Sequence, residues 1–173
     1  PDFPGYEEAY YFSPGNTGFK VFKTKFGTIG TGICWDQWFP EAARVMTMLG
    51  AEVIIYPTAI GSEPAYPGTD SKPHWQQTMQ GHAAANLVPI VAANRMGKES
   101  DGKDEIDFYG ASFIADHHGQ KVVETSSDQQ EIQLAKFNLD EIANERLTWG
   151  VFRTRREDLY GSLSEPAPTS LLK

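Results

Sequence analysis

The stretch TGICWDQWFPEAAR, residues 31–44, holds the only cysteine of the chain. A thiolate is a strong nucleophile, and Cys34 sits where one could be presented. An apolar strand-like run ends at it, and Pro40-Glu41 then opens a helix, since proline suits the first helical position and a carboxylate the positive dipole end. Backbone N–H groups at such a junction favour a thiolate and can hold an oxyanion. The competing reading is a small buried hydrophobe, which lone cysteines commonly are. The Gly-x-Ser-x-Gly elbow pattern is absent, and no clear base lies near Cys34 in sequence.

Other chemistry-bearing residues give weaker signals. Glu63, in Ile60-Gly61-Ser62-Glu63, follows the apolar run VIIYP at residues 53–57. Open α/β sheets place ligands beyond the carboxyl ends of their strands, and a carboxylate there could pair with an ammonium group. An acidic residue in a Gly/Pro loop is otherwise simply solvated, and Glu8 in Tyr6-Glu7-Glu8 reads the same way. Gly27-x-x-Gly30-x-Gly32 lacks the order of a dinucleotide fingerprint. His117-His118 is expected in a turn, and because adjacent strand residues face opposite ways, no shared metal is expected there. His74 and His82 are eight apart and lack the HExxH spacing. No metal site is expected.

These residues need elements to position them. Phe19–Thr24 alternates as an antiparallel strand, and Lys25-Phe26-Gly27 turns into a second strand reaching Cys34. On that strand Gly30, Gly32 and Cys34 share a nearly bare face, which either another backbone or a ligand could approach. Ala42, Val45, Met46 and Leu49 form a helical stripe that Gly50 ends. Residues 53–57 and 89–93 are continuously apolar, as strands covered on both sides are, with a helix expected over 74–87 between them. This βαβαβ order predicts an α/β fold with a partly parallel sheet. Residues 97–107 read as a polar loop, 108–115 and 120–125 as strands, and 132–139 as a further alternating strand. Short helices are expected from Asp140 and over 157–163. PDFPGYEEAYYF shows no strand or helix of its own and reads as a chain entered mid-loop, with residues expected upstream.

With 173 residues, one well-buried domain is expected over 1–173, with 164–173 a loose tail. Fifteen Lys+Arg against 23 Asp+Glu give a net charge of −8, which disfavours nucleic acid or an anionic membrane and favours a cationic ligand. The arginines at 153, 155 and 156 are too few for a nucleic-acid footprint. One cysteine forms no internal disulfide, and no run approaches the roughly 18 apolar residues of a membrane span, so a cytoplasmic protein is expected.

Gly32-Ile33-Cys34-Trp35-Asp36, with Phe39-Pro40-Glu41-Ala42-Ala43-Arg44, resembles the nucleophile motif of the nitrilase, or carbon-nitrogen hydrolase, superfamily. PGYEEAYYFSPGNTGFKVF, YPTAIGSEP, QGHAAANLVPIVAANR and WGVFR extend the resemblance over most of the chain, toward its carbamoyl-amine branch. The resemblance implies an αββα sandwich, present here in part, and subunits pairing into homodimers or larger homo-oligomers. It also implies a Glu-Lys-Cys triad in which Cys34 is the nucleophile. Pro1-Asp2 match the end of the motif that carries the lysine, which places the lysine just before Pro1 and the glutamate far upstream. On that reading the chain by itself lacks turnover.

Glu8 matches an additional glutamate that orients the triad. Trp35, Ala59 and Glu63 fall at the substrate, Trp35 offering its backbone N–H to the oxyanion. The implied reaction is cleavage of the ureido C–N bond of N-carbamoylputrescine, a small cationic substrate, to putrescine, carbon dioxide and ammonia, without a cofactor. Another amidase of the superfamily, or a non-catalytic oligomerising fragment, is the alternative.

Overall fold

The computed structural model describes residue 1 and residues 5–171; Asp2, half of the Pro1-Asp2 match, lies outside the described residues. The chain divides into two compact units, Pro1–Leu139 and Asp140–Lys173.

In the first unit, six strands form one sheet in the order β1-β2-β3-β4-β7-β8. Strands β1 (Val21–Thr24) and β2 (Gly27–Thr31) form an antiparallel hairpin. β2, β3 (Val53–Thr58) and β4 (Ile90–Asn94) are parallel, and β7 (Phe113–Ala115) and β8 (Lys121–Glu124) return antiparallel. Helix α2 (Pro40–Met48) crosses from β2 to β3 and α3 (Lys72–Asn86) from β3 to β4, as parallel neighbours require. The partly parallel α/β sheet expected from the βαβαβ pattern is present.

Register dictates the core. Ile54, Tyr56, Ile90, Ala92, Phe113 and Ala115 point to one face and are buried against Ala43, Met46, Trp75, Met79 and Ala83 of the two helices. The Trp75 and Phe113 rings meet edge-to-face at 5.4 Å. On the opposite face Ile29 pairs with Val53, Ile55 with Val91, and Val91 with Ile114, a half-exposed apolar row. The bare face of β2 receives a helix: a Cβ on Gly30 would stand 3.2 Å from Met46 and from Ala51. Arg44 donates to the Ala85 carbonyl at 2.9 Å, tying α2 to α3.

Several expectations change. PDFPGYEEAYYF contains one helical turn, α1 (Glu8–Tyr11). The polar loop at 97–107 is a hairpin of β5 (Met96–Ser100) and β6 (Glu105–Tyr109), closed by Asp101, whose carboxylate accepts the Lys103 and Asp104 N–H groups, and by Gly102 at φ +93°. Cross-strand charge supports it, Lys98 lying 3.0 Å from Glu105. Residues 108–115 are not one strand, because Gly110 and Ala111 take positive φ and break it between β6 and β7. Residues 132–138 form no strand despite their alternation; they pair with no strand among the described residues, and Ile132 and Leu134 are exposed. The His117 and His118 rings lie 4.1 Å apart, on the same side, because they occupy a turn.

The second unit carries most of α4 (Leu139–Trp149), with Asp140 and Glu141 at its positive end and Arg146 in its last turn. The helix expected over 157–163 is two 3₁₀ turns, Glu157–Leu159 and Gly161–Ser164, and a third spans Thr169–Leu171. Among the described residues no helix is long and apolar enough to cross a membrane.

Two predictions follow from packing. Gly61 bridges to Phe108 of β6, and a Cβ there would stand 2.4 Å from the Asp107 carbonyl oxygen. Gly61→Ala should cost about 1–3 kcal/mol, seen as a lower urea midpoint. Gly81→Ala, in open space on α3, should add about 0.5–1 kcal/mol of stability and so raise that midpoint.

Burial pushes the His82 imidazole below its ordinary 6.5, opposed by its bond to the Gln37 carbonyl. Below 6.5 the unfolded chain takes up a proton that the folded chain resists. Stability is therefore full above 6.5 and falls as pH drops through that value. His82→Gln, which keeps a donor, should flatten this slope in urea midpoints read between about pH 7 and 5.

Candidate active site

β2 stops at Thr31, but the Gly32 N–H still donates to the Ile55 carbonyl at 3.3 Å, so the chain stays on β3 for one more residue. Ile33 remains extended, and the backbone then turns at Cys34, whose φ is +47°. A left-handed conformation costs a residue with a Cβ about 1–2 kcal/mol. The 3₁₀ turn Cys34–Trp38 begins there, and Asp36 closes it by accepting the Ile33 N–H at 2.9 Å and donating its own N–H to the Ile33 carbonyl at 3.1 Å. Only glycine fits at 32, where a Cβ would stand 2.9 Å from the Tyr56 ring. Cys34 is thus half-buried at the carboxyl edge of the sheet, a free thiol rather than a core residue.

Cys34, Trp35, Ala59 and Glu63 line one cleft, with Tyr6 and Ile60. Trp35 is 39% exposed and meets Trp38 edge-on at 6.3 Å; Trp38 also lines the cleft and packs on His74. Glu63 is fixed at the wall because Ser71 donates to its Oε1 at 2.8 Å, and Ser71 Oγ also lies 3.0 Å from the Tyr109 hydroxyl. Glu8 is not among the lining residues. Its carboxylate lies 3.6 Å from the nitrogen of Pro1, which does line the cleft, and its Oε2 is shielded from solvent.

Four residues shape the site without having stood out in the sequence. The Gly61 N–H donates to the Tyr6 hydroxyl at 3.0 Å, and that hydroxyl donates to the Ser62 carbonyl at 3.3 Å. Burial pushes the Tyr6 phenol up to about 12; the Gly61 N–H works against that rise, and the nearby Glu63 adds to it. Asn94, at the end of β4, accepts the Ile60 N–H at 2.9 Å and donates to the Ile60 and Gly110 carbonyls at 3.0 Å each. The loop bearing Ala59 and Glu63 is therefore held on both sides. Gln37, buried beneath the cleft, donates to the Thr58 hydroxyl at 2.8 Å, and Thr58 Oγ1 lies 3.4 Å from Cys34 Sγ. A polar residue ending an apolar strand, as Asn94 does, was the one available sequence signal.

Chemically, the cleft joins a thiol at a strained turn to a carboxylate on the facing loop. No Lys or Arg lines it among the described residues.

Known proteins share this arrangement of elements. The profile of the family described as carbon-nitrogen hydrolase matches residues 1–146. The chain is 58% identical over 164 residues to an N-carbamoylputrescine amidase of Arabidopsis thaliana, covering 92% of this chain and 55% of that protein. It is 54% identical over 163 residues to a citrullinase of Francisella tularensis, covering 94% and 57%. A crystal structure of a carbon-nitrogen hydrolase from Helicobacter pylori superposes with a TM-score of 0.89 at 39% identity, covering 97% of this chain and 59% of that one. The chain thus spans about half the length of the curated relatives it matches. On the family profile and on the fold, the chain belongs to the carbon-nitrogen hydrolases of the nitrilase superfamily.

Proposed function

We propose that the full-length protein hydrolyses the ureido C–N bond of N-carbamoylputrescine. The observation that carries this reading is the convergence of Cys34 and Glu63 on one cleft. Cys34 attacks the ureido carbon, and the tetrahedral intermediate's oxyanion is held by the Trp35 backbone N–H. Collapse breaks the bond to the substituted nitrogen, which takes a proton and leaves as putrescine. Water then cleaves the carbamoyl-thioenzyme to carbamate, which gives carbon dioxide and ammonia, and the thiol is restored. The resemblance to the family assigns the base glutamate and the lysine of the triad to residues not in this sequence, and to Glu8 the role of orienting them.

A carboxylate at the wall suits the ammonium of a diamine, and the identity to the Arabidopsis amidase supports the same substrate. The relative named citrullinase favours a second reading, since citrulline has the same ureido group but adds a carboxylate. A homodimer through the helical layer is part of the proposal, supported by Val45, Met48 and Leu49, which α2 and its C-cap leave 38–55% exposed.

The test compares turnover of N-carbamoylputrescine, citrulline and a neutral N-carbamoyl-alkylamine by the full-length protein, with Cys34→Ala as the blank. Carbamoylputrescine should have the highest kcat/KM. A partly desolvated ion pair is worth about 1–3 kcal/mol, so Glu63→Gln should raise its KM roughly tenfold to a hundredfold. The neutral amine should be nearly unaffected. Equal losses on both would make Glu63 an organiser of the catalytic groups, and preference for citrulline would overturn the diamine assignment.

A further inference from the structure

A chain of three hydrogen bonds leads to Cys34, and its direction is fixed by a residue that has no choice. Trp75 is fully buried, and its indole N–H can only donate. The Gln37 side-chain atom 2.8 Å from it is therefore the amide oxygen, which settles the orientation of the whole amide. The amide nitrogen consequently faces Thr58 Oγ1, 2.8 Å away, and donates to it. One lone pair of the hydroxyl is occupied, and its hydrogen is left to point at Cys34 Sγ, 3.4 Å away. The backbone ends are pinned as well. The Gln37 carbonyl, an acceptor only, lies 2.9 Å from His82 Nε2, so that nitrogen carries its hydrogen. The Thr58 carbonyl accepts the Arg95 N–H at 3.1 Å.

We infer that Thr58 is a hydrogen-bond donor to the Cys34 thiolate, and that Gln37, held by Trp75, is the positioning residue that aims it. A neutral thiol can share its own hydrogen with the threonine oxygen. A thiolate has none to give, so after ionisation the bond runs only from Thr58 to sulfur. A donor that meets the charged form better than the neutral one favours the charged form. Threonine suits this task, because its β-branch restricts the χ1 that aims the hydroxyl. No proton is transferred along the chain; the bonds only orient and stabilise. The inference rests on the proposed role of Cys34 as attacking thiolate.

The test is the pH profile of Cys34 alkylation by iodoacetamide in the full-length protein, read by mass spectrometry at that residue, beside turnover of N-carbamoylputrescine. Thr58→Val keeps the shape and removes the hydroxyl. The alkylation midpoint should move up by about one pH unit, and kcat should fall while KM holds. Thr58→Ser should return both toward wild type. Gln37→Met gives a second route, freeing the hydroxyl to rotate, and should move the midpoint in the same direction by less. Midpoints unchanged in Thr58→Val, or in Gln37→Met if the valine variant does not fold, overturn the inference. The two claims fail separately: wild-type turnover with an unmoved midpoint removes the relay alone, and a shifted midpoint without wild-type turnover removes the functional reading alone.

Discussion

A cysteine held in a left-handed turn is the constraint around which the rest is arranged. At φ +47° Cys34 occupies a region that residues with a Cβ avoid, and it stays there because its neighbours leave no other path. Gly32 remains hydrogen-bonded to β3 just before the turn, the Asp36 carboxylate takes the Ile33 N–H, and the Tyr56 ring fills the space beneath. The parallel pairing of β2 with β3 brings Thr31 level with Ile55, so Thr58 comes up beside the thiol. Continuing that ladder, β4 sets Asn94 opposite Thr58, and Asn94 grips the loop that carries Glu63 toward the cleft. Strand register thus converts a strained turn into an organised cleft.

The helices supply the stiffness. Trp75 and His82 reach Gln37 from α3 through its side chain and its backbone, respectively. Both contacts join the buried face of α3 to the underside of the Cys34 turn. A polar group at that depth is tolerated because each of its atoms has a partner. The core is built on one side of the sheet, where β3, β4 and β7 meet α2 and α3, and the edge that bears the cleft is one end of that same layer.

What the sequence revealed depended on how local the signal was. β3 and β4 were legible as unbroken apolar runs, and α2 as a stripe begun by proline. Cys34 was legible from its place between a strand and a helix, and Glu63 from its place after one. The hairpin β5–β6 was missed because β5 and the turn are mostly polar and hide the Ile106/Phe108 alternation of β6, although Asp101-Gly102 is the dipeptide that closes such turns. The alternation at 132–138 misled, since period two makes a strand only when the segment pairs with another, and this one does not. Tyr6 meets Gly61 across 55 positions, and Gln37 meets Thr58 across 21 and Trp75 across 38. Such roles belong to the folded surface, and no window of residues contains them.

Asn94 sets a limit of a different kind, on chemical lifetime. Its amide imitates a strand edge, with the oxygen on an N–H and the nitrogen on two carbonyls. Deamidation would exchange that nitrogen for an oxygen and set a negative charge against the carbonyls of Ile60 and Gly110. No reorientation relieves it, because a carboxylate has no hydrogen to offer either one. One slow hydrolysis, invisible in the overall shape and close to one dalton in mass, would loosen the loop beneath Glu63. Ageing of this protein would then be felt first in the cleft wall that carries Glu63.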